Sequence, residues 1–200
     1  MGETETRRPR GRPREFDEET ALDQLTELFW EQGFARTSVA DLVEATGVHK
    51  PSLYRTFGSK EDVFARCLHR YLDRRMATMR DLIASSGPGI EGIEAFLDAL
   101  LDEVLSGAAS KGCLLVASSA ELRGSTPGFE DFGATYRAAL RERATELVAK
   151  AGGTPAEIEV RAGIVVIWML GLDVSVRGGA QRAEAWAAVD ALKAVVATWA

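Results

Sequence analysis

The sequence predicts an all-α protein of about nine helices, with a small N-terminal helical domain before a larger one. Apolar residues recur at three- and four-residue steps in every long segment, which is typical of amphipathic helices. The alternation of apolar and polar residues that marks a half-buried strand does not occur in the sequence. We expect an arm at residues 1–14, a three-helix domain at residues 15–64 and a larger helical domain at residues 65–200.

The first helix is expected to follow the acid-rich stretch EFDEE and to end at Gly33. Acidic side chains favour a helix N-terminus, and glycine commonly follows a helix C-terminus. Thr37 and Ser38 supply caps for a short second helix that ends before Gly47.

A third short helix is expected at about residues 50–57, after a connection at residues 45–48. Pro51 falls in its first turn, where its missing amide proton is not needed and its fixed φ favours the start of a helix. The second and third helices then have the dimensions of a helix-turn-helix, in which Gly47 supplies a turn that a side chain would hinder.

The remaining segments also have helical periodicity. Ser59 is expected to cap a long fourth helix, and SSGPG precedes a fifth. Two more helices are expected near residues 113–122 and 129–151. The last two, at about residues 155–176 and 181–199, are apolar on nearly all sides, which predicts that they are buried.

Composition and charge limit the possible classes of protein. The net charge of −6 argues against a uniformly basic protein that coats nucleic acid. The two cysteines match neither a disulfide framework nor a metal-binding pair, which favours a reduced, cytoplasmic setting. The longest apolar run, residues 162–172, is about half of a membrane span, and the N-terminus lacks the apolar core of a secretory signal.

No motif in the sequence supports an enzyme, and we expect no cofactor and no metal. Residues 87–92 match G-x-G-x-x-G, but the segment before them resembles the end of a helix, so a turn between helices is favoured. The sequence has no P-loop, H-E-x-x-H or G-x-S-x-G motif, and its two histidines do not suffice for a histidine-centred metal site.

Residues 17–64 resemble the DNA-binding domain of the TetR family of bacterial transcriptional repressors. The residues that carry the resemblance are Thr37, Ser38, Val39, Asp41, Leu42, Gly47, Val48, Leu53, Tyr54, Phe57, Lys60 and Glu61. The length and the order of helices also fit this family. The resemblance implies a homodimeric repressor that binds a near-palindromic double-stranded operator and is released by a small-molecule effector.

The resemblance also implies roles for individual residues in binding DNA. Phosphate contacts are implied for Thr37, Tyr54 and Lys60. Lys50, Pro51 and Ser52 are implied to face the major groove, where Lys50 can reach guanine and Pro51 can touch a thymine methyl group. The complete set of candidates in this domain is Thr37, Ser38, His49, Lys50, Pro51, Ser52, Tyr54, Arg55 and Lys60. His49 and Thr56 depart from the residues common in the family, so the operator sequence is not predicted.

The N-terminal arm has its own charge pattern. Residues 7–14, RRPRGRPR, contain five arginines and no acid. Proline disfavours helix around it, and an extended arginine chain fits the narrow minor groove of A·T-rich DNA. The candidates for this contact are Arg10, Arg12 and Arg14. The alternative is a basic tail that adds only nonspecific affinity.

The C-terminal domain is expected to bind a small, mainly apolar effector between its helices. The candidate lining residues are Phe96, Leu100, Cys113, Leu114, Phe132, Tyr136, Trp168, Met169 and Leu172. Most apolar stripes are core, so fewer than half of these residues are expected to contact a ligand. Asp173, an acid on an apolar helix, either pairs with a polar partner at a dimer seam or selects the effector.

The two cysteines lead to different expectations. Cys113 lies at a predicted helix N-terminus two residues after Lys111, and both features lower a thiol pKa and raise its reactivity. A sensor of electrophiles and an inert buried residue are both open hypotheses for it. Cys67 lies in the apolar stripe of the fourth helix and is expected to be core.

The last two helices are expected to form a four-helix interface with a second copy. Small residues such as Gly163, Gly171, Ala187, Ala188 and Ala191 permit close approach. A helical small-molecule carrier without DNA function is the alternative reading of the chain, but it does not explain residues 47–60 or the arm.

Overall fold

Helices build all of the secondary structure in the computed structural model of the protein, which describes residues 16–106, 111–121 and 132–200. The helices are α1 (Glu18–Gln32), α2 (Val39–Thr46), α3 (Lys50–Phe57), α4 (Lys60–Ser85), α5 (Gly89–Leu105), α6 (Leu114–Glu121), α7 (Phe132–Ala149), α8 (Pro155–Arg177) and α9 (Arg182–Val196). A short 3-10 turn, Ala197–Trp199, follows α9. The predicted all-α fold is confirmed.

The helix ends follow the predicted local chemistry. The carboxylate of Asp17 accepts the Glu19 amide at 3.1 Å at the start of α1, and Gly33 ends that helix with a φ of 79°. Ser59 caps α4 in a reciprocal box with Asp62, whose Oδ2 accepts the Ser59 amide at 2.8 Å. These contacts satisfy amides that have no partner within the helix.

Helix α4 connects the N-terminal helices to the rest of the protein. Its first half packs on α1, where the Phe29 and Phe64 rings lie 4.8 Å apart. Its second half buries Met79 and Ile83 against the C-terminal helices. The predicted domain boundary between residues 64 and 65 therefore lies inside one continuous helix that contacts both parts of the chain.

The G-x-G-x-x-G match is a turn between α4 and α5, as predicted. Gly87 and Gly89 have φ values of 80° and 75°, which favour glycine. A Cβ at Gly92 would lie 2.3 Å from the carbonyl oxygen of Gly87, so this glycine permits a close backbone approach. Lys150 donates a hydrogen bond to the same carbonyl at 3.0 Å.

In the single chain, helices α8 and α9 are buried on one face and leave an apolar face exposed, so burial of that second face by a partner copy stays a prediction. Val165, Val189 and Val196 are fully enclosed. The opposite face leaves Ile167 70% exposed and Val160 65% exposed. Within the described part of the chain, no helix combines the length and apolar character needed to span a bilayer.

Candidate nucleic-acid interface and central cleft

The connection between α2 and α3 is a tight turn centred on Gly47. Gly47 has left-handed angles, φ 64° and ψ 9°, and its amide donates to the Val43 carbonyl at 2.9 Å. The Thr46 hydroxyl donates to the Leu42 carbonyl at 2.8 Å and accepts the Val48 amide at 3.2 Å. These bonds hold α2 and α3 in a helix-turn-helix arrangement.

Helix α3 has a buried face and an exposed face. Leu53 and Phe57, four residues apart, are only 1% and 2% exposed and fix the helix on the core. The other face presents the predicted groove and phosphate residues to solvent, namely His49, Lys50, Pro51, Tyr54 and Arg55. Ser52 is half-buried beside them. This face is exposed and carries the cations Lys50 and Arg55.

The start of α3 is arranged as predicted from Pro51. His49 is the residue before the first turn, and its carbonyl accepts the Ser52 amide at 2.8 Å and the Leu53 amide at 3.0 Å. The His49 side chain makes no capping bond to any described residue. The imidazole is therefore available at the exposed N-terminus of the helix.

Two residues that are implied to contact phosphate, Thr37 and Lys60, contact other groups of the chain. Thr37 is only 1% exposed, and its hydroxyl donates to the Gly33 carbonyl at 2.7 Å. The hydroxyl is therefore bonded within the chain, and a phosphate contact by Thr37 stays a prediction. Lys60 lies with its ammonium group 4.3 Å from the centre of the Phe34 ring, which orients it beside α3. Ser38 is exposed, and its Oγ accepts the Asp41 amide at 3.2 Å. Arg10, Arg12 and Arg14 lie outside the described residues.

A second feature is a cleft of about 570 Å³ between α1, α4, α5 and the segment before α6, which we call the central cleft. Its aromatic walls are Trp30 and Tyr71, whose rings meet edge to face at 5.1 Å. Its charged lining residues are Asp23, Glu27, Arg70, Arg74, Arg75, Glu103 and Asp173. Cys113 contributes its thiol.

Arg75 is the central charged group of the cleft. Its Nη1 donates to Glu103 at 2.6 Å, and its Nη2 lies 3.9 Å from Asp173. Burial lowers the pKa of this guanidinium, but the carboxylates of Asp173 and Glu103 outweigh burial and raise it above its ordinary value. The enclosed Nε has no hydrogen-bond partner among the described residues. Such a donor costs about 1–3 kcal/mol of stability.

Asp173 is buried, at 3% exposure, and burial raises its pKa to about 6 despite the nearby Arg75. The Tyr136 hydroxyl lies 3.4 Å from its Oδ2. Its partners therefore belong to the same chain rather than to a dimer seam. The second expectation for Asp173, a role in selecting an effector, stays a prediction.

Cys113 differs from the expectation of a lowered thiol pKa. The residue is 2% exposed, and burial followed by the charge of Asp173 raises the pKa of its thiol. Lys111 forms ion pairs with Glu27 and Glu31, and its Nζ–Oε1 distance to Glu31 is 2.8 Å. The charge of Lys111 is therefore paired with acids of α1 and is not directed at the Cys113 thiol. Cys67 is core, as predicted, and burial raises its pKa to about 11.

The segment at residues 111–113 ties α1 to α8 across the cleft. The Trp30 indole donates to the Gly112 carbonyl at 2.8 Å, and Arg177 donates to the Lys111 carbonyl at 3.2 Å. A Cβ at Gly112 would lie 2.7 Å from the Cβ of Arg177 and 2.8 Å from the Asp173 carbonyl oxygen. Only glycine permits this approach.

The predicted effector residues are dispersed in the structure. Cys113 lines the central cleft, and Tyr136 lies behind it, with its hydroxyl 3.4 Å from the Cys113 sulfur. Trp168 and Leu172 line a smaller groove of about 350 Å³ beside α9. The others lie in or against the core, namely Phe96, Leu100, Leu114, Phe132 and Met169.

Sequence reasoning missed most of the residues around the cleft. Arg75 carried a usable signal, because it continues the apolar stripe of Leu68, Leu72 and Met79 on α4. A charge at a stripe position is buried and needs partners. Trp30 gave no comparable signal, because its partner Gly112 is 82 residues away in the sequence.

These features define an all-helical protein with an N-terminal helix-turn-helix and a charged cleft between α1 and the C-terminal helices. The family model for bacterial regulatory proteins of the tetR family matches residues 21–67. CifR, a TetR family transcriptional regulator solved as a cysteine mutant with a 26-base-pair double-strand operator, is 30% identical, with a TM-score of 0.76. That match covers 91% of this chain and 98% of CifR. The chain belongs to the TetR family.

Two curated relatives have matching regions of lower coverage. The transcriptional repressor ComR of Escherichia coli K12 is 35% identical over 140 residues, which cover 68% of this chain and 65% of ComR. The repressor BdcR of the same organism is 31% identical over 106 residues, covering 53% of this chain and 54% of BdcR. The chain therefore spans about half to two thirds of the length of these relatives.

Proposed function

We propose that the protein is a sequence-specific DNA-binding regulator of transcription that represses its target by occupying an operator. The observation that carries this proposal is the exposed basic face of α3, held on the core by Leu53 and Phe57. Placed in a major groove, α3 offers Lys50 and Pro51 to base edges. The operator in the complex with CifR supports the same use of this domain. Because the chromosome is its target, we expect the protein in the cytoplasm.

A homodimer formed by α8 and α9 is the second part of the proposal. The exposed apolar face of these helices includes Val160, Ile164, Ile167 and Val174. Apart from the adjacent residues and the nearby backbone of α8 itself, no described atom lies within 4 Å of a Cβ built at Gly163 or Gly171, so packing within the chain does not require glycine there. A second copy would cover this face and place two α3 helices on successive major grooves of a near-palindromic site.

Release from DNA follows in this proposal from an effector bound in the central cleft. The cleft is bordered by α1, which braces the helix-turn-helix, and by α4, which continues into the body. A ligand that favours a different separation of α1 and the 111–113 segment would change the spacing of the two α3 helices. A ligand preference of about 3 kcal/mol for that state lowers DNA affinity roughly a hundredfold.

Cys113 acts in this proposal as a neutral lining group and not as a reactive thiolate. Its enclosure and its raised pKa support that role. DNA release by the Cys113→Ser variant under peroxide or an electrophile tests the alternative. Release like that of the wild type supports a lining role, and loss of release under these reagents would establish a thiol sensor.

A gel-shift experiment with the DNA that flanks the protein's own gene tests the function. We expect a shift that survives excess unrelated DNA at moderate salt and weakens as salt rises. Absence of a sequence-specific shift with any flanking fragment would favour the carrier reading over a regulator.

A further inference from the structure

The central cleft combines an enclosed hydrogen-bond donor with aromatic walls. Arg75 is 9% exposed, and its Nε has no hydrogen-bond partner among the described residues. Buried polar groups are nearly always hydrogen-bonded, so this donor calls for an acceptor. Trp30 and Tyr71 stand beside it and offer flat apolar surfaces.

The charges of the cleft select against an anion. Its lining has four carboxylates, Asp23, Glu27, Glu103 and Asp173, and three arginines. Asp23 lies 2.6 Å from Arg74 and 2.8 Å from Arg70, so these two arginines are already paired. A further negative charge would enter a region with more acids than bases.

The two terminal nitrogens of the Arg75 guanidinium, Nη1 and Nη2, already have acidic partners. Glu103 accepts from Nη1, and Asp173 lies beside Nη2. A ligand carboxylate would have to displace one of these or add a third acid around one guanidinium. A neutral oxygen adds no charge and still accepts from Nε–H.

We propose that the central cleft binds a small neutral molecule that places an apolar, flat portion against Trp30 and Tyr71 and a carbonyl-type oxygen on Arg75 Nε–H, after a shift of the Arg75 side chain that uncovers this enclosed atom. The role of this molecule as effector rests on the proposed regulatory function, whereas its binding to the cleft does not. The proposal replaces the expectation of a mainly apolar effector with one that carries a required hydrogen-bond acceptor.

Three probes of closely similar shape test this chemistry on the full chain without DNA. Benzophenone is a neutral diaryl ketone, diphenylmethane lacks the oxygen, and 4-benzoylbenzoate adds a carboxylate. We expect benzophenone to bind about tenfold more tightly than diphenylmethane, because one hydrogen bond to a charged donor is lost in the latter. We expect 4-benzoylbenzoate to bind more weakly than benzophenone. Calorimetry gives the dissociation constants.

Two variants connect the preference to Arg75. Arg75→Lys keeps a cation between Glu103 and Asp173 but removes Nε–H, so the preference for benzophenone over diphenylmethane should disappear. Arg143→Lys is the matched control, since Arg143 also lies between two glutamates, Glu142 and Glu146, but outside the cleft. It should keep the wild-type preference.

Irradiation of bound benzophenone, which couples the ketone carbon to nearby C–H bonds, locates the site even if Arg75→Lys does not fold. Crosslinks to peptides containing Trp30, Tyr71 or Arg75 support the proposal. Equal affinity for diphenylmethane, tighter binding of 4-benzoylbenzoate, or crosslinks confined to α8 and α9 would overturn it. Specific DNA binding by the same sample shows that the regulatory function stands whichever result is obtained.

Discussion

Gly112 occupies a position at which any side chain would collide with α8. Its φ of 71° favours glycine, and an added Cβ would approach both Arg177 and the Asp173 carbonyl within 3 Å. The residue also accepts the Trp30 indole hydrogen bond. A substitution at Gly112 would therefore both strain the backbone and weaken the hydrogen bond from Trp30.

The Gly112→Ala variant should lower the free energy of unfolding by about 2–4 kcal/mol, because strained backbone and a forced shift of α8 add to each other. Gly152→Ala is the control, since Gly152 has a φ of 78° but no described atom within 4 Å of an added Cβ. Denaturant unfolding measures both variants. Equal losses would show that the close approach to α8 costs nothing beyond the φ angle.

Asp173 predicts a pH dependence with a definite sign. Burial raises its pKa from 3.8 to about 6, so the folded state holds the proton more tightly than the unfolded chain. The contribution of the protonated Asp173 carboxyl to the free energy of unfolding is fully present below about pH 4 and is lost as pH rises through about 6. Arg75, Glu103 and Tyr136 surround this carboxyl.

The Asp173→Asn variant imitates the protonated form and should gain stability relative to the wild type as pH rises from 4 to 7. The expected gain is about 3 kcal/mol, which corresponds to the shift of the pKa. Unfolding by denaturant at several pH values gives the difference. Asp81→Asn, at an exposed position of α4, is the control. A difference between Asp173→Asn and wild type that is constant with pH would contradict the buried titration.

At the scale of elements, α3 was predicted at its observed bounds because the local chemistry is unusually explicit. Gly47 permits the left-handed turn before the helix, and Pro51 fixes φ in its first turn. The burial of Thr37 was not predictable from the sequence in this way. It depends on the path of the chain between α1 and α2, where the hydroxyl finds the Gly33 carbonyl.

Lys50→Ala tests the reading face of α3. We expect operator affinity to fall about tenfold for each half-site and preference at one base position to relax, because Lys50 would lose a contact to a base edge. Arg80→Ala removes the same charge from an exposed site on α4 and is the control. Fluorescence anisotropy with operator and mutated operators measures both effects. Equal losses for both variants would mean that only overall charge matters.

The apolar face of α8 predicts self-association. Ile167→Asp should raise the dimer dissociation constant about a hundredfold, because a two-fold interface buries the new charge twice. Ala84→Asp introduces the same charge at an exposed position of α4 and should leave the dimer intact. Sedimentation equilibrium measures the constants. A dimer of unchanged strength in Ile167→Asp would move the interface elsewhere.

At the scale of the whole molecule, the central cleft joins parts that are far apart in the sequence. Trp30 on α1, Arg75 on α4 and the segment at residues 111–113 meet only after folding. Periodicity gave the helices and their order, but it contains no information on which faces meet. The predicted effector residues were therefore drawn mainly from stripes that pack in the core, such as Phe96 and Leu100.

The position of the cleft suggests how an effector bound there would change the spacing of the α3 helices in the proposed dimer. The Lys111 ion pairs and the Trp30 hydrogen bond lie on one side of the cleft, and Arg177 fixes the same segment on α8. In the proposed mechanism, a ligand between these contacts would change the position of α1 relative to the body. Because α1 packs against α2, that change would alter the distance between the two α3 helices of the proposed dimer.

Hydroxyl-radical footprinting of the wild-type protein on its operator shows whether two α3 helices bind the DNA together. A dimer should give two equivalent protected patches related by a two-fold axis, with centres about one helical turn apart or slightly more. Lys50→Ala should weaken both patches equally. A single protected patch, or uniform protection without sequence boundaries, would contradict a dimer that reads DNA through its paired α3 helices.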